Sequence, residues 1–269
     1  MSENEFDSKW ASALKGKNRE ERSVFVPLNQ TPKTQRQFVL FHQFEYIKKI
    51  AEKHNVKKAV EIGCGRGTMA LYLNRYLGVE VTATDISKEA IELAKENFLM
   101  HKGVGDFVEA DAANLPFEDK SFDMTVSIGL LEHLPDYSNL LKEQYRVLKD
   151  GGIMISVNIP KKRSIQIMNH FYRFVLSLFR PAKPLKKDYY RNGDSPKTYV
   201  LAAEKVGFRE VNTFYSNSFP LFTPIASLKT ERVISFVYNL IYRLRAIFMR
   251  YPFKGSKFLS QEHFLIAKK

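Results

Sequence analysis

Between Lys57 and Pro160 the apolar residues follow two alternating rhythms. Short continuous runs take turns with runs spaced three and four apart, a pattern that predicts repeated βα units. Residues 56–62 read as a buried strand ending at Gly63, residues 68–77 as a helix, and residues 79–84 as a second strand. Ser87 suits the N-cap of the next helix, whose apolar face carries Ala90, Ile91 and Ala94. Residues 106–110, 122–128 and 153–157 read as the third, fourth and fifth strands. Residues 137–148 read as a helix with Leu140, Leu141, Tyr145 and Leu148 at core spacing, stopped by Gly151-Gly152. Strand and helix in this succession predict a parallel sheet covered on both faces. Ahead of it, residues 34–54 form an amphipathic helical pattern, and residues 1–30 are polar and weakly patterned.

Past Pro160 the rhythm breaks. Residues 165–180 predict an amphipathic helix ended by Pro181 and Pro184, and a loop rich in Lys and Tyr follows. A helix over 196–206 stopped by Gly207, a strand over 209–215 and a last strand over 262–267 complete the pattern. Residues 231–250 predict a second amphipathic helix. Its apolar face includes Val233, Phe236, Val237, Leu240, Ile241, Leu244 and Phe248, with Arg232, Arg243 and Arg250 aligned on the opposite edge. The chain divides accordingly into a helical lead-in (1–56), an α/β core (57–160) and an extension of the same domain (161–269).

Charge separates the last region from the rest. Residues 1–159 hold 21 Lys and Arg against 23 Asp and Glu, whereas residues 160–269 hold 21 against 6, a net of +15. The same region carries 20 of the 35 aromatic residues. A basic, aromatic-rich surface suits an anionic partner, either nucleic-acid phosphates or membrane headgroups. The whole chain of 269 residues, 44% hydrophobic and 26% charged, has ordinary globular composition, which excludes global disorder. One cysteine and no signal-peptide pattern fit a reduced, cytoplasmic setting. No apolar run is long enough to span a membrane, and no Cys/His cluster suggests a metal site.

The chemistry concentrates at the ends of the predicted strands. Glu61-Ile62-Gly63-Cys64-Gly65-Arg66-Gly67 joins the first strand to its helix, and glycines at alternate positions allow a ligand to lie against the backbone near a helix N-terminus. The spacing G-x-G-x-G differs from the G-x-G-x-x-G of dinucleotide sites, which disfavours a nicotinamide- or flavin-dependent oxidoreductase. Asp85 ends the second strand, where a carboxylate can accept both hydroxyls of a ribose. Asp111-Ala112 follows the third, where an adenine edge would lie. The set implies an adenosine ligand without a long phosphate chain.

These stretches, together with D-A-A-N-L-P-F-E-D-K-S-F-D (111–123), L-E-H-L (131–134) and R-V-L-K-D-G-G (146–152), resemble the class I S-adenosylmethionine-dependent methyltransferases, in particular the ubiquinone- and menaquinone-biosynthesis (methyltransferase type 11) group. The resemblance covers about residues 57–160. It implies a Rossmann-like seven-stranded α/β sheet in the order 3-2-1-4-5-7-6 with the seventh strand antiparallel, and helical insertions after strand 5 and between strands 6 and 7. It implies S-adenosyl-L-methionine as cofactor, with Glu61, Gly63, Gly65 and Gly67 around the methionine part and Asp85 on the ribose. Ile86 would then pack on the adenine, Asp111 and Ala112 at its edge, and Ile128 beneath the sulfonium.

The acceptor is less legible. Acceptor-facing candidates after the fourth and fifth strands are His133, Tyr137, Asn158, His170, Tyr189 and Tyr190. Ser127-Ile128-Gly129-Leu130 stands where nucleobase amino-methylating enzymes carry an Asn/Asp/Ser-Pro-Pro-aromatic motif, and Cys64 lies in the wrong loop for cytosine C5 chemistry, which disfavours base methylation. The basic helices have two readings: a lid with apolar faces buried over the cofactor, or an interfacial contact with the inner membrane surface. The leading expectation is methyl transfer to a small lipophilic acceptor such as a quinone precursor, isoprenoid or lipid headgroup. The alternative is a nucleic-acid-directed methyltransferase or RNA-binding protein using the basic region.

Overall fold

The computed structural model describes residues 3–15, 23–159, 161, 167, 170, 174, 190–216, 228–249, 253–257, 260 and 262–269. In chain order the elements are α1 (Glu3–Leu14), α2 (Gln35–Lys53), β1 (Lys58–Ile62), α3 (Thr68–Leu77), β2 (Glu80–Asp85), α4 (Lys88–Met100), β3 (Asp106–Glu109) and β4 (Phe122–Ile128). They continue with α5 (Ser138–Val147), β5 (Leu148–Asn158), α6 (Pro196–Val206), β6 (Arg209–Ser216), α7 (Leu228–Phe248) and β7 (Glu262–Lys268). The seven strands form one sheet in the order β3-β2-β1-β4-β5-β7-β6, in which β7 runs antiparallel to both neighbours, as expected from the resemblance.

Alternation along the strands explains the two layers. Ala59, Ile153, Ile155 and Val157 point to one face, where they meet Phe44 and Ile47 of α2, Met69 and Leu71 of α3, and Ile91 of α4. Met154, Leu265 and Ala267 point to the other and pack on Leu140 and Leu141 of α5 and Tyr199 and Ala203 of α6. β1 and β4 are buried along almost their whole length, the continuous apolar runs of a sheet covered on both sides. Registers Ile62↔Thr84, Ile62↔Ser127 and Ile128↔Val157 bring the carboxyl ends of the central strands to one rim. The order reverses between β1 and β4, the switch point where open α/β sheets hold ligands.

Four expectations change. α5 ends at Val147 and β5 starts at once, so Gly151-Gly152 lies inside an eleven-residue strand rather than after a helix; a register shift between Phe122 and Met124 accommodates the extra length. Residues 3–14, read as weakly patterned, form a helix packed on α4. Ser87 sits at the N-cap of α4, but its hydroxyl donates to Glu89 Oε2 (3.2 Å) instead of capping the backbone. The fourth change concerns α7. Its packed side is Ser235, Tyr238 and Tyr242, set against Phe38 of α2 and Phe253, while Val233, Phe236, Val237, Leu240, Leu244 and Phe248 are exposed. A lid with this apolar face buried is therefore not what α7 builds. Of the predicted helix over 165–180, Ile167, His170 and Phe174 are described and helical, and the rest lies outside the described residues.

Candidate functional site

The Gly-rich turn is closed by Cys64 N–H donating to the Thr84 carbonyl (2.8 Å) and Gly67 N–H donating to the Cys64 carbonyl (2.8 Å). Gly63, Gly65 and Gly67 all have φ between +53° and +68°, the left-handed region where a Cβ is penalised. Space constrains two of them further: a Cβ on Gly65 would stand 2.5 Å from the Trp10 ring of α1, and one on Gly67 2.9 Å from the Ala94 Cβ of α4. Gly67 thus serves helix packing, and Gly65 lets Trp10 lie on the turn.

Asp85 is buried at the end of β2. Its Oδ2 accepts from Gly65 N–H (2.9 Å) and its Oδ1 from Ser87 N–H (3.0 Å), which fixes the carboxylate on the turn. Burial raises its pKa, opposed by those backbone hydrogen bonds and by Lys9. Ala110 N–H donates to the Asp85 carbonyl (2.9 Å), so Asp111 and Ala112 follow alongside; Asp111 is exposed, with Oδ1 accepting from Ala113 N–H (2.9 Å). Ile86 is 43% exposed beside Asp85, an apolar surface left open next to a buried carboxylate. Glu61 is turned to the start of α3: its Oε2 accepts from Ala70 N–H (2.7 Å), and burial raises its pKa to about 8.

Cations that sequence reading passed over gather at this turn. Lys9 Nζ lies 4.3 Å from the centroid of the Trp10 ring and the Arg66 guanidinium carbon 5.3 Å from it. Burial lowers the Lys9 pKa to about 8, helped by Arg36, Arg66 and Arg191, while Asp85 opposes the shift. Arg66 stood in the turn motif itself, but Lys9 and Arg36 arrive from α1 and α2, and nothing local in the sequence ties them to Gly65.

The rim beyond β4 and β5 holds a second polar group. Glu132, in the 3-10 turn Leu131–His133, is buried, and burial raises its pKa to about 7 against backbone hydrogen bonds from its own N–H and that of Ile159 and the charges of Arg191 and Lys9. Its Oε2 has no hydrogen-bond partner among the described residues. Lys9 thus lies within electrostatic reach of both Asp85 and Glu132. Ser127 Oγ donates to Ser156 Oγ (3.0 Å) and Ser156 Oγ to Asn158 Oδ1 (2.9 Å). That run fixes the Asn158 amide, whose buried Nδ2 has no partner among the described residues. Ile128, Leu130 and Ile159, at or just after the ends of β4 and β5, are partly exposed.

The other acceptor-side candidates are placed differently. His133 Nδ1–H donates to the Tyr190 carbonyl (2.7 Å), which fixes its tautomer and anchors the strand of chain after 190. Tyr137 donates to Asp194 Oδ2 (2.9 Å) and stacks on Tyr199 at 5.1 Å. Tyr190 and His170 are exposed, and Tyr189 lies outside the described residues. Among the described residues no group of three or more His, Cys, Asp or Glu is placed to hold a metal ion.

Residues 60–156 match the methyltransferase domain family. This segment is similar to methyltransferase domains, and its sheet order is that of the class I, S-adenosylmethionine-dependent fold expected from the sequence. The chain is 33% identical over 156 residues to a demethylmenaquinone methyltransferase of Staphylococcus haemolyticus, an alignment covering 53% of this chain and 64% of that protein's length. Two solved structures share the fold across nearly the whole chain. A Galdieria sulphuraria protein provisionally assigned as a sarcosine dimethylglycine methyltransferase has a TM-score of 0.60 at 17% identity, covering 98% of both chains. The cyclase SpnF has a TM-score of 0.58 at 15% identity, covering 99% of this chain and 94% of its own. Because one fold carries both names, the chemistry of the methyltransferase domain has to be argued from its site. The donor set fits the cofactor: a buried carboxylate for vicinal hydroxyls, an exposed isoleucine beside it, a Gly-rich turn with Trp10 lying on Gly65, and nearby cations for a carboxylate.

Proposed function

We propose that this chain is a methyltransferase acting on a small, lipophilic acceptor of the quinone-precursor, isoprenoid or lipid-headgroup class. The observation that carries the reading is Glu132, a buried carboxyl after β4 whose Oε2 has no hydrogen-bond partner among the described residues and which shares Lys9 with Asp85, with Ile86, Ile128, Leu130 and Ile159 left partly or fully exposed at the carboxyl ends of the same strands. The name of the Staphylococcus relative supports a quinone-type acceptor.

S-adenosylmethionine supplies a methyl group already activated by its sulfonium charge. The residues therefore have to align and dehydrate the reactants, and a base matters only where the acceptor must lose a proton. In this reading Asp85 would accept the ribose hydroxyls, Gly63 would let the methionine part approach the backbone beside Trp10, which lies on Gly65, and Lys9, Arg36 and Arg66 would attract its carboxylate. Ile86 would cover the adenine, with Asp111 and Ala112 at its edge, and Ile128 would lie beneath the sulfonium. Glu61 acts through α3, whose first turn it holds. Glu132 takes the proton released from the acceptor atom, and the Asn158 amide donates a hydrogen bond that orients the acceptor.

The nucleic-acid alternative requires a basic groove. The outward side of α7 is apolar with arginines at its edge, which supports a lipid-like partner and a peripheral position at the inner membrane surface. No helix among the described residues is long and apolar enough to cross a membrane. Incubation with methyl-labelled cofactor and a panel of demethylated quinone precursors tests the proposal. Label appearing in the organic-extractable product supports it, and label transferred only to RNA or DNA refutes it.

A further inference from the structure

We infer that the outward face of α7 is a docking surface for an anionic lipid bilayer, with the helix lying in the headgroup region parallel to the membrane. α7 is held on its inner side by specific bonds. Gln35 N–H and Nε2 donate to the two Glu231 oxygens (both 3.0 Å), Ser235 Oγ donates to the Pro32 carbonyl (2.7 Å), and Tyr242 meets Phe38 edge-on at 4.8 Å. With that side fixed, the helical period of 100° per residue sets Phe236, Ile247, Leu240, Val233, Leu244, Val237 and Phe248 in one outward arc about 120° wide. These side chains are between 44% (Val237) and 85% (Phe248) exposed.

Charge identifies the occupant. The only acidic residue of α7, Glu231, faces inward to Gln35, while Lys229, Arg232 and Arg243 are exposed along the arc and its edge. An apolar stripe bordered by cations and lacking anions is the arrangement that enters an acyl boundary under anionic headgroups. A second copy docked through the same face would set one arginine edge against another. The region containing α7 carries the whole positive excess of the chain, +15 over residues 160–269. On its inner side α7 is linked toward the Gly turn: Glu231 neighbours Arg36, which lies within electrostatic reach of Lys9 and Arg66.

The test is co-sedimentation of the full chain with vesicles of phosphatidylcholine alone or mixed with phosphatidylglycerol. The native protein is expected to pellet with the mixed vesicles at least about tenfold better than with phosphatidylcholine alone. The Phe236→Glu, Leu240→Glu double variant should lose that binding while keeping its circular dichroism and its S-adenosylhomocysteine affinity. Equal binding to both vesicles, no binding by the native protein, or unchanged binding by the variant overturns the inference. So does a native dimer that the variant abolishes. Cofactor affinity is read separately, so a failed methyltransferase reading would show there and leave the vesicle result standing.

Discussion

Phe44 and Phe236 sit on the two long amphipathic helices that pack against each other, and they are put to opposite uses. Phe44 of α2 is fully buried and stacks on Tyr72 with centroids 4.6 Å apart and planes 12° from parallel. Phe236 of α7 is 67% exposed. In the sheet half the apolar period points into the protein, where Ile47, Leu71 and Met124 complete the contact. In α7 the period points out, and the packed side is polar and aromatic, tied by Glu231, Ser235, Tyr238 and Tyr242. An amphipathic period therefore says that a helix meets an apolar medium on one side; whether that medium is the protein's own core depends on what the opposite side can bond to.

Substitutions can break or sharpen this contrast. The largest effect is expected for Phe44→Ala, a loss of about 4 kcal/mol in denaturant unfolding, because the site is enclosed and cannot collapse fully. Next, Glu132→Gln should lower kcat about a hundredfold in the methyl-transfer assay and remove a pH limb expected near 7 in the native protein, whereas a purely structural glutamate would leave the limb in place. Gly67→Ala should cost about 1–3 kcal/mol in the same unfolding measurement, since its φ of +62° and the Ala94 Cβ at 2.9 Å both resist a side chain. Phe236→Ser is the smallest, within about 0.5 kcal/mol of native. A cost for Phe236→Ser comparable to that for Phe44→Ala would erase the contrast.

The buried carboxyls make a further prediction with a definite sign. Burial raises Glu132 and Glu262 to about 7 and Glu61 to about 8. In the window between the ordinary carboxylate range and about 8 the native protein holds protons that the unfolded chain has already released. Stability is therefore fully present below that window, falls as pH rises through it, and levels off above. Urea midpoints measured across this range should decline; Glu132→Gln should flatten part of the decline.

The centre of the sheet was legible because β1, β2 and β4 are short, apolar and closed by a recognisable turn: β4 and α3 fall where the pattern sets them, and Gly207 stops α6 as expected. Asp85 and the Gly turn were legible for the same reason, since chain order places both at strand ends. Three features were not. α1 carries too few apolar residues to show a period, and its role depends on Trp10 reaching Gly65. Glu132 lies in plain view in L-E-H-L, yet the groups that act on it, Ile159, Arg191 and Tyr199, come from distant parts of the chain. The orientation of α7 depends on partners in α2 about 200 positions away in sequence, such as Gln35 for Glu231.

The central claim is that the turn at Gly63–Gly67 and Asp85 together form a cofactor site. Calorimetric titration with S-adenosylhomocysteine, run on the native chain and on Asp85→Ala, tests it most directly. The account predicts one site in the native protein and an affinity lowered about a hundredfold in the variant, the loss of two hydrogen bonds to a charged acceptor. A folded native chain that takes up no ligand, or a variant that binds as tightly as the native chain, would contradict it.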